Sequence, residues 1–241
     1  DNALHPRCLT LPEALKSNGY RTGMMGKWHL AGKYTKNNGL EAVYPDQRGF
    51  DYFYGILGGA SSFYAPHGLK RNRNSIDHEF INDKDYYFTS AIGEEAISFL
   101  QQTPDQKPFF LYLPFTAAHW PLHAPAKDIE KYKGRFSEGW DQLRAKRLER
   151  MKKLAVIDKS VELSPRHAKV CSWKDEKHKD WQERRMEVYA AQVTMMDQAI
   201  GNVIRHLENV GKLNKTLIFF TIDNGGCHVE YPPQRKGCLL Y

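Results

Sequence analysis

Pro108-Phe109-Phe110-Leu111-Tyr112-Leu113-Pro114-Phe115 is a continuous apolar run of strand length. A strand with one wet face alternates apolar and polar side chains, whereas this run is apolar on both faces, as a strand covered from two sides must be. It predicts a central strand, and the segments around it read accordingly. Before it, Ser90–Gln102 predicts an amphipathic helix with Ala91, Ile92, Ala96, Ile97, Phe99 and Leu100 available to the core. After it, Met186–Leu207 places Val188, Ala191, Met195, Ala199, Val203 and Leu207 three or four residues apart, a long helix closed by Gly211 after Val210. Thr216–Ile222 is a second run of buried-strand type and leads directly into Asp223-Asn224-Gly225-Gly226. Towards the N-terminus, Leu9–Asn18 reads as a helix capped by Thr10, with Pro12 and Glu13 in its first turn and Gly19 at its end. Tyr20–Met25 is then a short strand leading into Gly26-Lys27-Trp28-His29, and Asn37 to Asn82 reads as irregular loops with a hairpin. Helices alternating with short apolar runs predict an α/β fold, a mixed and largely parallel sheet sandwiched by helices.

A chain of 241 residues is long enough for one substantial core. No apolar run reaches the ~18 residues of a membrane-spanning helix. The net charge of +7 invites a nucleic-acid reading, but its distribution argues otherwise. Arg144 to Arg185 holds 14 Lys or Arg against 7 Asp or Glu, which accounts for the whole surplus. Its interspersed acids and the helical Gln142–Lys153 describe a solvated surface insertion, at about 144–185, or a basic rim that draws in anionic substrates. No nucleic-acid-binding motif accompanies it. Cys8, Cys171, Cys227 and Cys238 lack the paired spacing of a zinc site or redox dithiol and read as structural or incidental thiols.

Three predicted strands end in polar residues: Lys27 and His29, then His119, then Asp223 and Asn224. Open α/β sheets form their sites beyond the carboxyl ends of the strands, so these five residues are expected to converge on one edge. Asp223 and Asn224 offer a carboxylate and an amide oxygen, hard donors suited to calcium or magnesium. By itself, Asp-Asn-Gly after a strand is more often just a turn. Lys27 and His29 straddle Trp28 and point to one side of an extended segment, an ammonium for anionic oxygens beside an imidazole that can move a proton. Alone, that pair reads as a surface lysine beside a half-buried aromatic, and His119 and His123 as structural histidines in a Pro-rich turn.

Taken together the motifs resemble a family. Gly19-Tyr20-Arg21-Thr22-Gly23-Met24-Met25-Gly26-Lys27-Trp28-His29-Leu30 is similar to the sulfatase motif Gly-Tyr-x-Thr-x-x-x-Gly-Lys-x-His. Arg48-Gly49-Phe50-Asp51-Tyr52-Phe53-Tyr54-Gly55, Ala118-His119-Trp120-Pro121-Leu122 and Thr221-Ile222-Asp223-Asn224-Gly225-Gly226-Cys227 resemble the arylsulfatase branch, in the family's order and over nearly the whole chain. The resemblance implies the alkaline phosphatase superfamily fold and the hydrolysis of sulfate esters. It implies one calcium ion, with Asp223 and Asn224 among its ligands, and a formylglycine nucleophile made from a Cys-x-Pro-x-Arg motif. Lys27 would contact the sulfate, His29 would assist the formylglycine and sulfate release, and His119 would face the leaving oxygen. The implied partner is a small-molecule or glycan sulfate ester, and the implied location is outside the cytoplasm: periplasmic, extracellular or lysosomal.

The chain departs from that pattern in two respects. It contains no Cys-x-Pro-x-Arg, and Cys8-Leu9-Thr10-Leu11-Pro12 lacks the Pro and Arg in the required places. The family's N-terminal acidic metal ligands have no counterpart either. The sequence is therefore expected to be a partial catalytic domain lacking an N-terminal strand and a C-terminal part. As an isolated piece it is expected to be inactive and to expose a sheet edge. Two other readings stand beside this one: a phosphatase or phosphodiesterase of the same superfamily, and a non-catalytic relative that binds sulfated glycans.

Overall fold

The computed structural model describes residues 3–32 and 43–226, together with the backbone of 239–240. It opens with α1, Leu11–Ser17, whose Thr10 cap accepts a hydrogen bond from the Glu13 amide while the Glu13 side chain accepts one from the Thr10 amide. This reciprocal box, with Pro12 in the first turn, fixes where the helix begins. β1, Arg21–Lys27, follows directly and is buried along its five inner residues. β2 is Tyr52–Ile56, and β3, Lys70–Arg71, and β4, Asn74–Ser75, make a small hairpin. α2, His78–Asn82, and α3, Phe88–Gln101, lead to β5, Phe109–Tyr112. β6, Leu122–His123, α4, Ala126–Glu130, α5, Gly139–Lys153, and α6, Lys179–Asn209, follow, and β7, Leu239–Leu240, pairs in parallel with β6.

The main sheet has the order β4-β3-β2-β1-β5. β1 runs parallel to both β2 and β5, and the β3–β4 hairpin is antiparallel, so the sheet is mixed as expected. Successive residues of β1 and β2 serve opposite faces, the pleat's period of two. Met25, Tyr54 and Ile56 join Ile92, Ala96, Phe99, Val203 and Leu207 beneath α3 and α6. Met24 and Phe53 join Trp28, Phe50 and Leu57 on the other face. A third cluster, Trp120, Leu122, Ala124, Ile129, Val188 and Ala191, ties the N-terminal half of α6 to the loop after β5.

Two expectations are corrected. Pro108–Phe115 forms β5, but at the end of the sheet's strand order among the described residues, with Tyr112 about half exposed at 46%. Thr216–Ile222 forms no strand: Leu217 is 79% and Phe219 85% exposed. The reason is pairing, since a strand's backbone groups need a neighbour and none of the described strands lies against this run. Aromatics of Asp51–Tyr64 go into the core, with Phe53, Tyr54 and Phe63 fully buried. His123 is buried as well, stacked against Tyr64 with its carbonyl accepting from Tyr87 Oη. Its role is structural, as read. Cys8 and Cys171 are exposed free thiols, while Cys227 and Cys238 lie outside the described residues.

Candidate active site

The carboxyl ends of the parallel strands β1, β2 and β5 lie along one edge, and the candidate residues come from there. Lys27 is the last residue of β1, half-buried, and its amide donates to Pro114 O just past β5 at 2.9 Å. That bond requires close backbone approach. Gly26, at φ +135°, sits so near that a Cβ there would stand 2.1 Å from Pro114 O. Only glycine combines that φ with that space. The Gly-Lys of the motif is thus one device: the glycine lets β5 cross close, and the lysine is held where it does.

Trp28 and His29 continue the edge towards β2, their amides donating to Ile56 O and Leu57 O at 2.9 and 3.1 Å. Trp28 is the buried member, edge-on to Phe50, with its Nε1 donating to Val43 O at 2.7 Å. It anchors the turn between the two site residues. His29 is exposed, with the left-handed φ of +55°, and its ring lies over Gly59, where a Cβ would come within 2.5 Å of Cε1 and Nε2. Gly59 is therefore a seat for the imidazole. Sequence reasoning missed it, although Gly58-Gly59 just past a strand resembles the Gly225-Gly226 pair that did attract notice.

His119 lies in the loop from β5 and is exposed. Its Nδ1 lies 2.6 Å from Trp120 O. A carbonyl only accepts, so Nδ1 carries the hydrogen and Nε2 is left to face a ligand. Nε2 can donate a proton only in the doubly protonated ring.

Asp223 and Asn224 are exposed, beyond a run that is not in the sheet. They still lie near the same edge. The phenol of Tyr112 is pushed above its ordinary pKa, first by burial and then by the charge of Asp223. A Cβ on Gly226 would come within 4.0 Å of Tyr189 Oη on α6. As a cation site the pair is incomplete. The Asn224 amide nitrogen donates to Gly225 O at 2.7 Å, and its oxygen is, like the Asp223 carboxylate, a hard donor. Among the described residues, however, no cluster of three or more His, Cys, Asp or Glu could hold a metal ion. The pair fits one face of a hard-cation site.

The sulfatase family profile matches residues 2–237, so the chain belongs to the sulfatase family. It is 37% identical over 239 residues to an uncharacterized sulfatase of Schizosaccharomyces pombe, covering 92% of this chain and 42% of that protein. It is 31% identical to an arylsulfatase of Klebsiella aerogenes, covering 96% of this chain and 51% of that one. The chain thus spans about half, or less, of the curated relatives it matches. Among solved structures it resembles yidJ from Bacteroides fragilis, assigned as a sulfatase, with a TM-score of 0.57 at 18% identity over 88% of this chain and 42% of that one. The fold is the alkaline-phosphatase-like fold of these sulfatases. No helix of the described residues is long and apolar enough to cross a membrane.

Proposed function

We propose that the protein hydrolyses sulfate esters and that this chain supplies the residues that hold the sulfate and release the alcohol. The observation that carries the reading is the edge itself. Lys27 ends the strand that β5 runs beside in parallel, and the chain leaving β5 leads to His119 beyond the same end of the sheet.

The Lys27 ammonium offsets sulfate charge, an interaction that gains strength where the site is partly dry. His119, its Nδ1 committed to Trp120 O, presents Nε2 to the ester oxygen and gives up a proton as that oxygen leaves. An alkoxide is a poor leaving group, so this proton matters most when the alcohol is weakly acidic. His29, seated on Gly59, is placed to move a proton on the sulfate side. Asp223 and Asn224 would hold one face of a calcium ion, which when bound adds positive charge against the sulfate oxygens. The formylglycine nucleophile of the proposed reaction is not among these 241 residues, which hold no Cys-x-Pro-x-Arg.

The test compares His119→Ala with the parent protein on an alkyl sulfate and on 4-nitrophenyl sulfate. Loss of proton donation lowers kcat on the alkyl ester by about 100-fold or more and on the nitrophenyl ester far less. Equal losses on the two esters would contradict the assignment of His119 as proton donor.

A further inference from the structure

His119 sits on an exposed loop between β5 and β6, yet its ring can serve only if it keeps one direction. Its Nδ1–H points at Trp120 O, so the direction of that carbonyl is the direction of the proton donor. What holds the carbonyl is one stripe of α6. Arg185 lies over the Trp120 ring, 5.0 Å from its centroid, and Gln182 one turn earlier accepts from Arg185 Nη1 at 2.8 Å. Val188 and Ala191 pack in the same buried cluster as Trp120 and Leu122. Gln192 then donates from Nε2 to Pro121 O, the carbonyl just after the one that His119 uses, in a long bond of 3.4 Å. Arg185, Val188 and Gln192 are three and four residues apart, so they share one helix face.

Gln192 is the informative member. It is completely buried, at 0% exposure, and its Oε1 has no partner among the described residues. Burying a primary amide costs more than burying a hydrocarbon of the same size unless its hydrogen bonds are made. One long bond does not offset that cost, so stability alone would favour methionine or leucine here. The bond it does make goes to a half-buried residue two positions from His119. A carbonyl only accepts, which fixes the amide nitrogen towards the loop. The buried amide therefore serves the geometry of the loop.

The helix is a stiff frame for this purpose. From Gln192 it runs on to Val203 and Leu207, which lie in the core with Met25 and Tyr54 of the sheet and Phe99 of α3. A Cβ on Gly93 of α3 would stand 3.1 Å from Ala199 Cβ, so the two helices touch closely there. One element is thus anchored to the sheet that carries Lys27 and holds the loop that carries His119. Side chains that fix a catalytic group on such a frame typically matter by about 10- to 100-fold in rate, although they touch no substrate.

Resting on the sulfate-ester reading above, we propose that Gln192 and Arg185 are positioning residues for His119, holding Pro121 and Trp120 so that the Trp120 carbonyl keeps the ring aimed at the leaving oxygen. The test uses the whole protein carrying Gln192→Met, which keeps the length of the side chain and removes the donor. On an alkyl sulfate kcat should fall about tenfold and on 4-nitrophenyl sulfate less than about twofold, with KM and melting temperature little changed. In a His119→Ala background the same substitution should cost nothing further, because its effect passes through that ring. Arg185→Met, at a half-buried position, should give the same pattern and guards against a Gln192 variant that fails to fold. Arg185→Lys, which keeps a cation beside the Trp120 ring, should restore part of the rate. Nitrogen NMR of labelled histidine reads the geometry without turnover. Neutral His119 should be the Nδ1–H tautomer in the parent and a mixture of tautomers in Gln192→Met. Equal losses on the two esters, losses that multiply with those of His119→Ala, or an unchanged tautomer would overturn the positioning role alone. A His119→Ala protein that keeps the parent's ratio of rates on the two esters would overturn the proton-donor reading and this role with it.

Discussion

Arg21–Lys27 and Thr216–Ile222 are both short runs that lead to two candidate site residues, and the structure treats them oppositely. In the first, Met24 and Met25 are fully buried, while in the second Phe219 is 85% exposed. The difference is not composition, since the second run is the more apolar. β1 has a parallel ladder on each side, β2 and β5, with Met25 packed among residues of α3 on one face and Met24 among the Trp28–Phe50 cluster on the other. The second run has no strand partner among the described residues. Apolarity states that a segment must be covered, whereas the neighbours that cover it come from elsewhere in the chain. The site inherits this contrast: Lys27 and His29 are held by backbone bonds on both flanks, while Asp223 and Asn224 stand on an exposed segment.

Substitutions can break the comparison. The largest effect is expected from Gly26→Ala. Both its φ and the approach of Pro114 O forbid a side chain, and thermal or denaturant unfolding should show a loss of about 5 kcal/mol or more. The matching change Gly225→Ala meets nothing within 4 Å and should stay within about 0.5 kcal/mol of the parent. Next comes a pair of truncations. Met25→Ala should cost about 2–5 kcal/mol through its cavity, and Phe219→Ala less than about 0.5 kcal/mol given its exposure. A large cost for Phe219→Ala would mean that its run is covered in solution.

A pH effect sharpens the N-terminal side. The Arg48 guanidinium holds the Glu13 carboxyl at about 2, below its ordinary 4.5, and ties α1 to the turn before β2. A carboxyl lowered on folding contributes stability in full above about pH 4.5 and loses it as pH falls towards 2. Glu13→Gln should therefore flatten the acid-unfolding curve across that window, and an unchanged curve would count against the ion pair. The smallest effect concerns the exposed side. Asp223→Asn removes a charge that opposes ionisation of Tyr112, so the Tyr112 phenol should titrate somewhat lower and still above its ordinary value because its burial remains. Site-resolved NMR of labelled tyrosine would read it, and no shift would mean that Asp223 lies away from β5.

Local chemistry made much of this fold legible. The Thr10–Glu13 box marked α1, and the three-to-four spacing from Val188 to Leu207 marked α6. Sequence placed the start of α6 too late because Lys179–Arg185 carries no such spacing; what holds that first stretch is Trp181, packed against the Trp120 cluster, together with polar contacts. Gln182 is buried there, and in the next turn buried Glu187 accepts from the Gly134 amide and pairs with Arg184. β2 escaped notice because Gly55 interrupts its apolar run, and the register explains the glycine, which lies opposite Gly26 where both backbones must come close. In the site, side chains that perform chemistry were readable from their types and spacing. Their supports, the Pro114 and Trp120 carbonyls and the Gly59 seat, were not, because a carbonyl is common to every residue and only the fold gives it a position.

The central claim is that the C-terminal edge of β1 holds the sulfate. It is tested most directly by kcat/KM for 4-nitrophenyl sulfate in the whole protein carrying Lys27→Ala, with the melting temperature measured alongside. The account predicts a fall of at least ~100-fold with little change in melting temperature, since the half-buried lysine side chain is placed by its backbone and not by packing. A folded Lys27→Ala protein that retained kcat/KM within about twofold of the parent would contradict it.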